Sequence, residues 1–148
     1  MIIAEMDKSE CMALLGSSQL GRLACAKGGQ PYVVPITFAA DGNFLYGFSL
    51  LGLKIDWMRD KPAVCVQVDE FGAAREWRSV VVNGRYEELP DRIGWKQQRE
   101  HAWSLLSRHA QWWEPGGLKP MAETPAPHLF YRIIMDEITG RHAKDDSN

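Results

Sequence analysis

The chain has 148 residues, 45% of them hydrophobic, with 17 basic and 19 acidic side chains and a formal net charge of −2. That is most simply one domain over residues 1–148 with a substantial core, and its interspersed charge excludes the basic stripe of a general nucleic-acid binder. The longest apolar runs, such as 32–40, are too short to cross a bilayer, and Pro35 interrupts that one.

Residues 1–3 are followed by Glu5 and Asp7, so no basic leader is read and a cytoplasmic protein is expected. Cys11, Cys25 and Cys65 stand far apart, as reduced buried thiols do. The four histidines make no ligand spacing, so no metal is expected.

In chain order, Asp7 and Glu10 resemble a capping box opening a short helix that Gly16 would stop. Two strand-like runs, 21–26 and 31–38, flank a hairpin turn Lys27-Gly28-Gly29-Gln30. Pro35 marks the second run as an edge, a bulge or a point where the ladder opens. A turn at Asp41-Gly42-Asn43 leads to a third strand at 44–48. A short helix over 53–60 closes at Pro62, and 63–69 forms a fourth strand. A long fifth strand over 78–89 bends or bulges near Asn83-Gly84. The main helix follows Pro90-Asp91, with Ile93, Trp95, Ala102, Trp103 and Leu106 on its apolar side. A Pro/Gly-rich loop over 114–127 precedes a last strand at 129–135, and 143–148 reads as a loose polar tail. Six mostly antiparallel strands with helices at the rim predict a mainly-β barrel, with an open sandwich as the alternative.

One junction carries chemistry. A strand ends on Ser49, Gly52 sits in the loop, and Lys54 enters a helix. A hydroxyl, a permissive backbone and a cation near unpaired helix amides suit a phosphate. The plainer alternative makes Ser49 a helix cap and Lys54 a solvated lysine.

The order of segments resembles the pyridoxamine 5′-phosphate oxidase-like FMN-binding split β-barrels, nearest their nitroimidazole-resistance branch. The segments that carry this are Tyr32-Val33-Val34-Pro35-Ile36-Thr37, Tyr46-Gly47-Phe48-Ser49 with Gly52 and Lys54, and Lys61-Pro62. Val68-Asp69-Glu70, Trp77-Arg78-Ser79-Val80-Val81-Val82 with Gly84-Arg85, Trp112-Trp113-Glu114-Pro115 and the stretch 130–141 complete the pattern.

The resemblance implies a homodimer of six-stranded barrels with FMN in grooves at the interface. It places Ser49 and Lys54 at the FMN phosphate, and Val34, Pro35, Ile36 and Thr37 along the isoalloxazine edge. Trp77, Arg78, Ser79 and Val80 fall beside the ring or ribityl chain. Trp112 and Trp113 either seal the late helix or wall a substrate cleft.

The Arg-Lys pair and basic C-terminal motif of the vitamin B6 oxidases are missing, which argues against that activity. The expected function is an FMN-dependent oxidoreductase acting on a small planar nitroaromatic- or quinone-like acceptor, with a nicotinamide as possible donor. The alternative is a carrier or sensor binding flavin, deazaflavin or haem, with His109 or His128 as conceivable haem ligands.

Overall fold

The computed structural model describes residues 1–109 and 128–145. Eight strands and three α-helices follow in order: β1 (Ile2–Glu5), α1 (Lys8–Ser17), β2 (Leu20–Lys27), β3 (Gln30–Thr37), β4 (Ala39–Asp41) and β5 (Phe44–Leu50). Then come α2 (Leu53–Asp60), β6 (Ala63–Phe71), β7 (Trp77–Leu89), α3 (Lys96–Leu106) and β8 (His128–Lys144). All pairings are antiparallel, in the order β3-β2-β6-β7-β8-β5-β4, with β1 alongside β8. The sheet rolls until β3 comes round near β5, a seam without a ladder. This is the expected split barrel.

Among the described residues the strand count is eight rather than six. The two additions, β1 and β4, are only four and three residues long, too short to show the alternation that marks a strand. Three boundaries also move. The helix α1 runs through Gly16 to Ser17, and Ser18 Oγ donates to the Leu14 carbonyl at 2.7 Å, so a serine and not the glycine closes it. At the other end Asp7 caps as expected, accepting from the Glu10 amide at 2.8 Å.

The last strand extends to Lys144, and Ala143 is 1% exposed rather than part of a loose tail. Partners on both sides hold it: Ile3 of β1 and Trp77 of β7. The segment after Pro90 begins with a 3₁₀ turn, Ile93–Trp95, before α3. That turn throws Ile93 outward to 96% exposure, so only Ala102 and Leu106 are buried from the expected apolar side.

Alternation along the strands builds the core. Leu23, Val66, Val68, Val80, Val82 and Ile133 are fully buried on the inner face, with Leu14 and Leu15 of α1 and Ile55 and Met58 of α2 packed against them. Each such side chain contributes about 1.5–3 kcal/mol. A smaller cluster of Tyr46, Leu89, Ala102, Leu106 and Phe130 lies under α3.

The bend expected at Asn83-Gly84 is a β-bulge: Asn83 pairs with Glu137 but Gly84 with Met135, leaving Asp136 of β8 as the extra residue. Arg85 binds the Asp136 carboxylate at 2.8 and 3.0 Å and fixes the bulge from outside. Any Cβ at Gly84 would collide with the Ile134 carbonyl oxygen, so the strands meet this closely only with glycine there. Both turn expectations hold: Gly28, Gly29 and Gly42 have φ of +56°, +80° and +58°.

Candidate functional site

The junction between β5 and α2 gathers Ser49, Gly52 and Lys54, the residues expected to hold a phosphate. Ser49 lies near the end of β5 opposite Leu129 and is 5% exposed, with its Oγ donating to the Leu50 carbonyl at 2.7 Å. It is therefore not the cap of α2. Gly52 occupies that position in extended backbone, and among the described residues no side chain caps the helix, which leaves its first amides as donors.

Lys54 stands in this first turn, half-buried, beside Cys25 of β2. Among the described residues no carboxylate pairs with it, and burial pushes its pKa below the ordinary lysine value of 10.5. A partly desolvated cation without a counter-ion, next to uncapped helix amides, fits an external phosphate. The same helix is pinned by Trp57, whose ring lies 5.5 Å from that of Tyr32 on β3.

Val34, Pro35, Ile36 and Thr37 form the end of β3, which among the described residues pairs only with β2. Pro35 is thus on an edge strand and exposed, Ile36 is buried, and Val34 and Thr37 are half-buried. Trp77, Arg78, Ser79 and Val80 open β7. Val80 is fully buried core. The Arg78 guanidinium is taken by Glu70, its cross-strand partner, at 2.6 Å. Ser79 Oγ accepts from Gln67 Nε2 at 3.1 Å.

Within one chain these two segments are not neighbours: β2 and β6 lie between β3 and β7. Three strand steps place them about 14 Å apart along the sheet. Trp112 and Trp113 lie outside the described residues. So does the side chain of His109, while His128 packs its ring 5.2 Å from Phe48.

A groove of about 490 Å³ crosses the outer face of β1, β7 and β8 beside Trp77. Cross-strand register orders its floor. Val81 lies opposite Thr139, Ser79 opposite Arg141, and Glu5 continues that row on the far side of Arg141. Trp77 and Ser79 are among the residues expected at the site; Thr139 and Arg141 enter the sequence pattern only within the closing segment, and Glu5 not at all. Nothing local marks these three; the pairing of β1 with β8 brings them together.

A family model described as pyridoxamine 5′-phosphate oxidase matches residues 7–142. An uncharacterised protein of Rhizobium meliloti is 50% identical over 146 residues, covering 97% of each chain. The crystal structure of an FAD-binding protein from Mesorhizobium loti is 53% identical, covers 97% of this chain and all of its own (100%), and superposes with a TM-score of 0.84. A candidate 5-nitroimidazole antibiotic resistance protein from Bacteroides thetaiotaomicron shares the fold at 18% identity, with coverage of 96% and 89% and a TM-score of 0.72. The order of the strands, the β5–α2 junction and these matches together show that the chain belongs to the pyridoxamine 5′-phosphate oxidase family.

Proposed function

We propose that the protein is a flavin-dependent oxidoreductase whose Lys54 and α2 amides hold the flavin phosphate. The observation that carries this reading is the half-buried Lys54, without a carboxylate partner among the described residues, at a helix start that no side chain caps. Ser49 supports it once its hydroxyl turns from the Leu50 carbonyl toward a bound phosphate.

The grip serves FMN, the flavin expected from the resemblance, and equally the flavin-side phosphate of FAD, the ligand for which the Mesorhizobium loti protein is described. When bound, the flavin supplies the hydride and electron chemistry. The chain's own part is to fix the phosphate, line the ring with β3 backbone and keep water from one face. A small planar acceptor, nitroaromatic or quinone-like, with a nicotinamide donor is the reaction this arrangement suits.

The same reading makes the working unit a homodimer. With Val34 to Thr37 and Trp77 to Val80 about 14 Å apart in one chain, a single flavin ring touching both needs one segment from each copy.

The purified protein, titrated with FMN and with FAD and followed by visible absorbance, tests this. Saturable binding of either, weakened in Lys54→Ala, is the expected result. Absence of any flavin spectrum or spectral shift overturns the reading, and light scattering that shows only monomer with flavin bound overturns the shared site. Oxidation of a nicotinamide with a nitroaromatic acceptor tests turnover; tight binding without it assigns the protein to flavin carriage instead.

A further inference from the structure

We infer that Ser79 and Arg141, side by side on the floor of the outer groove, bind the carboxylate of a planar organic acid. The two residues are cross-strand partners on β7 and β8, so their side chains leave the same face of the sheet. Arg141 is exposed and has no hydrogen bond or ion pair among the described residues, leaving its donors for a ligand.

The Ser79 hydroxyl is oriented by a chain of contacts. Arg22 Nη1 donates to Gln67 Oε1 at 3.2 Å, and a guanidinium can only donate, so Gln67 must point its amide nitrogen the other way. That nitrogen donates to Ser79 Oγ at 3.1 Å and to Asp69 at 3.0 Å. Ser79 already accepts, and its own proton is directed elsewhere. A hydroxyl proton next to a guanidinium is a donor pair for one carboxylate.

Competing acceptors are accounted for. Asp69, the cross-strand partner of Ser79, is neutralised by Arg22 at 3.2 Å. Glu5 stands on the other side of Arg141, on the outermost strand, without an ion pair to it within 4.0 Å. Its charge opposes any anion bound at the β1 side of the groove, which steers the carboxylate toward Ser79.

The indole of Trp77 is two residues from Ser79 on the same face and half-buried, a flat wall for a conjugated ring. Val81 and Thr139 continue the floor beyond, and about 490 Å³ accommodates a substituted aromatic acid. The inference rests on the flavin reading where the two overlap: the resemblance that sets Trp77 and Ser79 beside the ring or ribityl chain puts the bound acid next to the flavin and makes it the substrate.

The test is calorimetric titration of the protein as purified with 4-nitrobenzoate and with the uncharged 4-nitrobenzamide, its flavin content read separately from the absorbance spectrum. We expect the acid to bind at least tenfold more tightly than the amide. Arg141→Gln should remove that preference, Arg141→Lys should retain part of it, and Glu5→Gln should tighten the acid several-fold. Equal affinities, no saturable binding of the acid, or a preference unchanged in Arg141→Gln each overturn the anion site. A preference that persists in protein unable to bind any flavin supports the anion site while refuting the flavin reading. Flavin bound without the preference refutes the anion site alone.

Discussion

The β7–β8 ribbon and the β5–α2 junction treat charge and space in opposite ways. Along the ribbon, Arg141 apart, the chain answers its own charges: Arg78 meets Glu70, Arg85 meets Asp136, and Arg132 meets Glu87 at 2.7 Å while lying 4.1 Å from the centre of the Phe44 ring. Its glycine at the bulge leaves no room for a methyl group. At the junction Lys54 has no carboxylate among the described residues, α2 has no side-chain cap, and a Cβ at Gly52 would meet nothing within 4 Å. The ribbon is built to hold the barrel. The junction leaves its donors unanswered among the described residues, as the proposed flavin phosphate requires.

Gly84→Ala should give the largest effect, on the ribbon side. Its methyl group would enter the Ile134 carbonyl, and equilibrium urea unfolding should show a loss of about 3 kcal/mol. A wild-type midpoint would mean that the ribbon has slack and the contrast is false.

Lys54→Ala should do the reverse: flavin affinity falls about tenfold to hundredfold, roughly 1.5–3 kcal/mol, while stability without flavin holds or rises. The pH dependence sharpens this. Burial lowers the folded-state pKa of Lys54 below 10.5, so between that lowered value and 10.5 the unfolded chain binds more protons. Apo stability therefore gains with rising pH in that window, as the penalty of the buried charge is relieved. Flavin affinity should decline over the same window as the cation is lost. If the two move together, Lys54 is not the phosphate ligand.

Tyr131 marks a fault inside the ribbon: its hydroxyl is buried and has no hydrogen-bond partner among the described residues. Tyr131→Phe should stabilise the protein by about 1 kcal/mol at neutral pH. Burial also raises the pKa of Tyr131 above the ordinary 10.0. Only the unfolded chain then releases that proton above pH 10, so stability is intact below pH 10 and falls beyond it. The variant should flatten this alkaline loss, with Tyr86, also raised by burial, keeping the remainder. An unchanged alkaline limb in thermal melts would count against the orphaned hydroxyl.

Gly52→Ala should be the smallest change for folding, within about 0.5 kcal/mol, because the backbone is extended and the space open. A drop in flavin affinity without a change in unfolding midpoint would show that the ligand, not the fold, requires the glycine.

Much of this was legible locally. Alternating burial in β6 and β7, the glycine turns, the Asp7 cap and the bounds of α2 all depend on neighbours a few residues apart, and the chain displays them directly. The meeting of Ser49, Gly52 and Lys54 at one strand-to-helix junction was visible for the same reason. The short strands β1 and β4 and the long end of β8 were not, because their partners are distant: Ala143 is buried by Ile3 and Trp77, not by anything near it in sequence.

The sequence by itself thus determined the barrel class and the order of its parts, and it set Ser49, Gly52 and Lys54 at one junction, all written in local pattern and spacing. Tertiary structure alone decided which charges are already answered and which are left over. Arg78 and Lys54 look equally available in the sequence, yet Glu70 occupies one and burial isolates the other. Likewise only the closing of β1 and β7 onto β8 sets Glu5, Ser79 and Arg141 in one row, since cross-strand neighbours are fixed by register and not by distance along the chain.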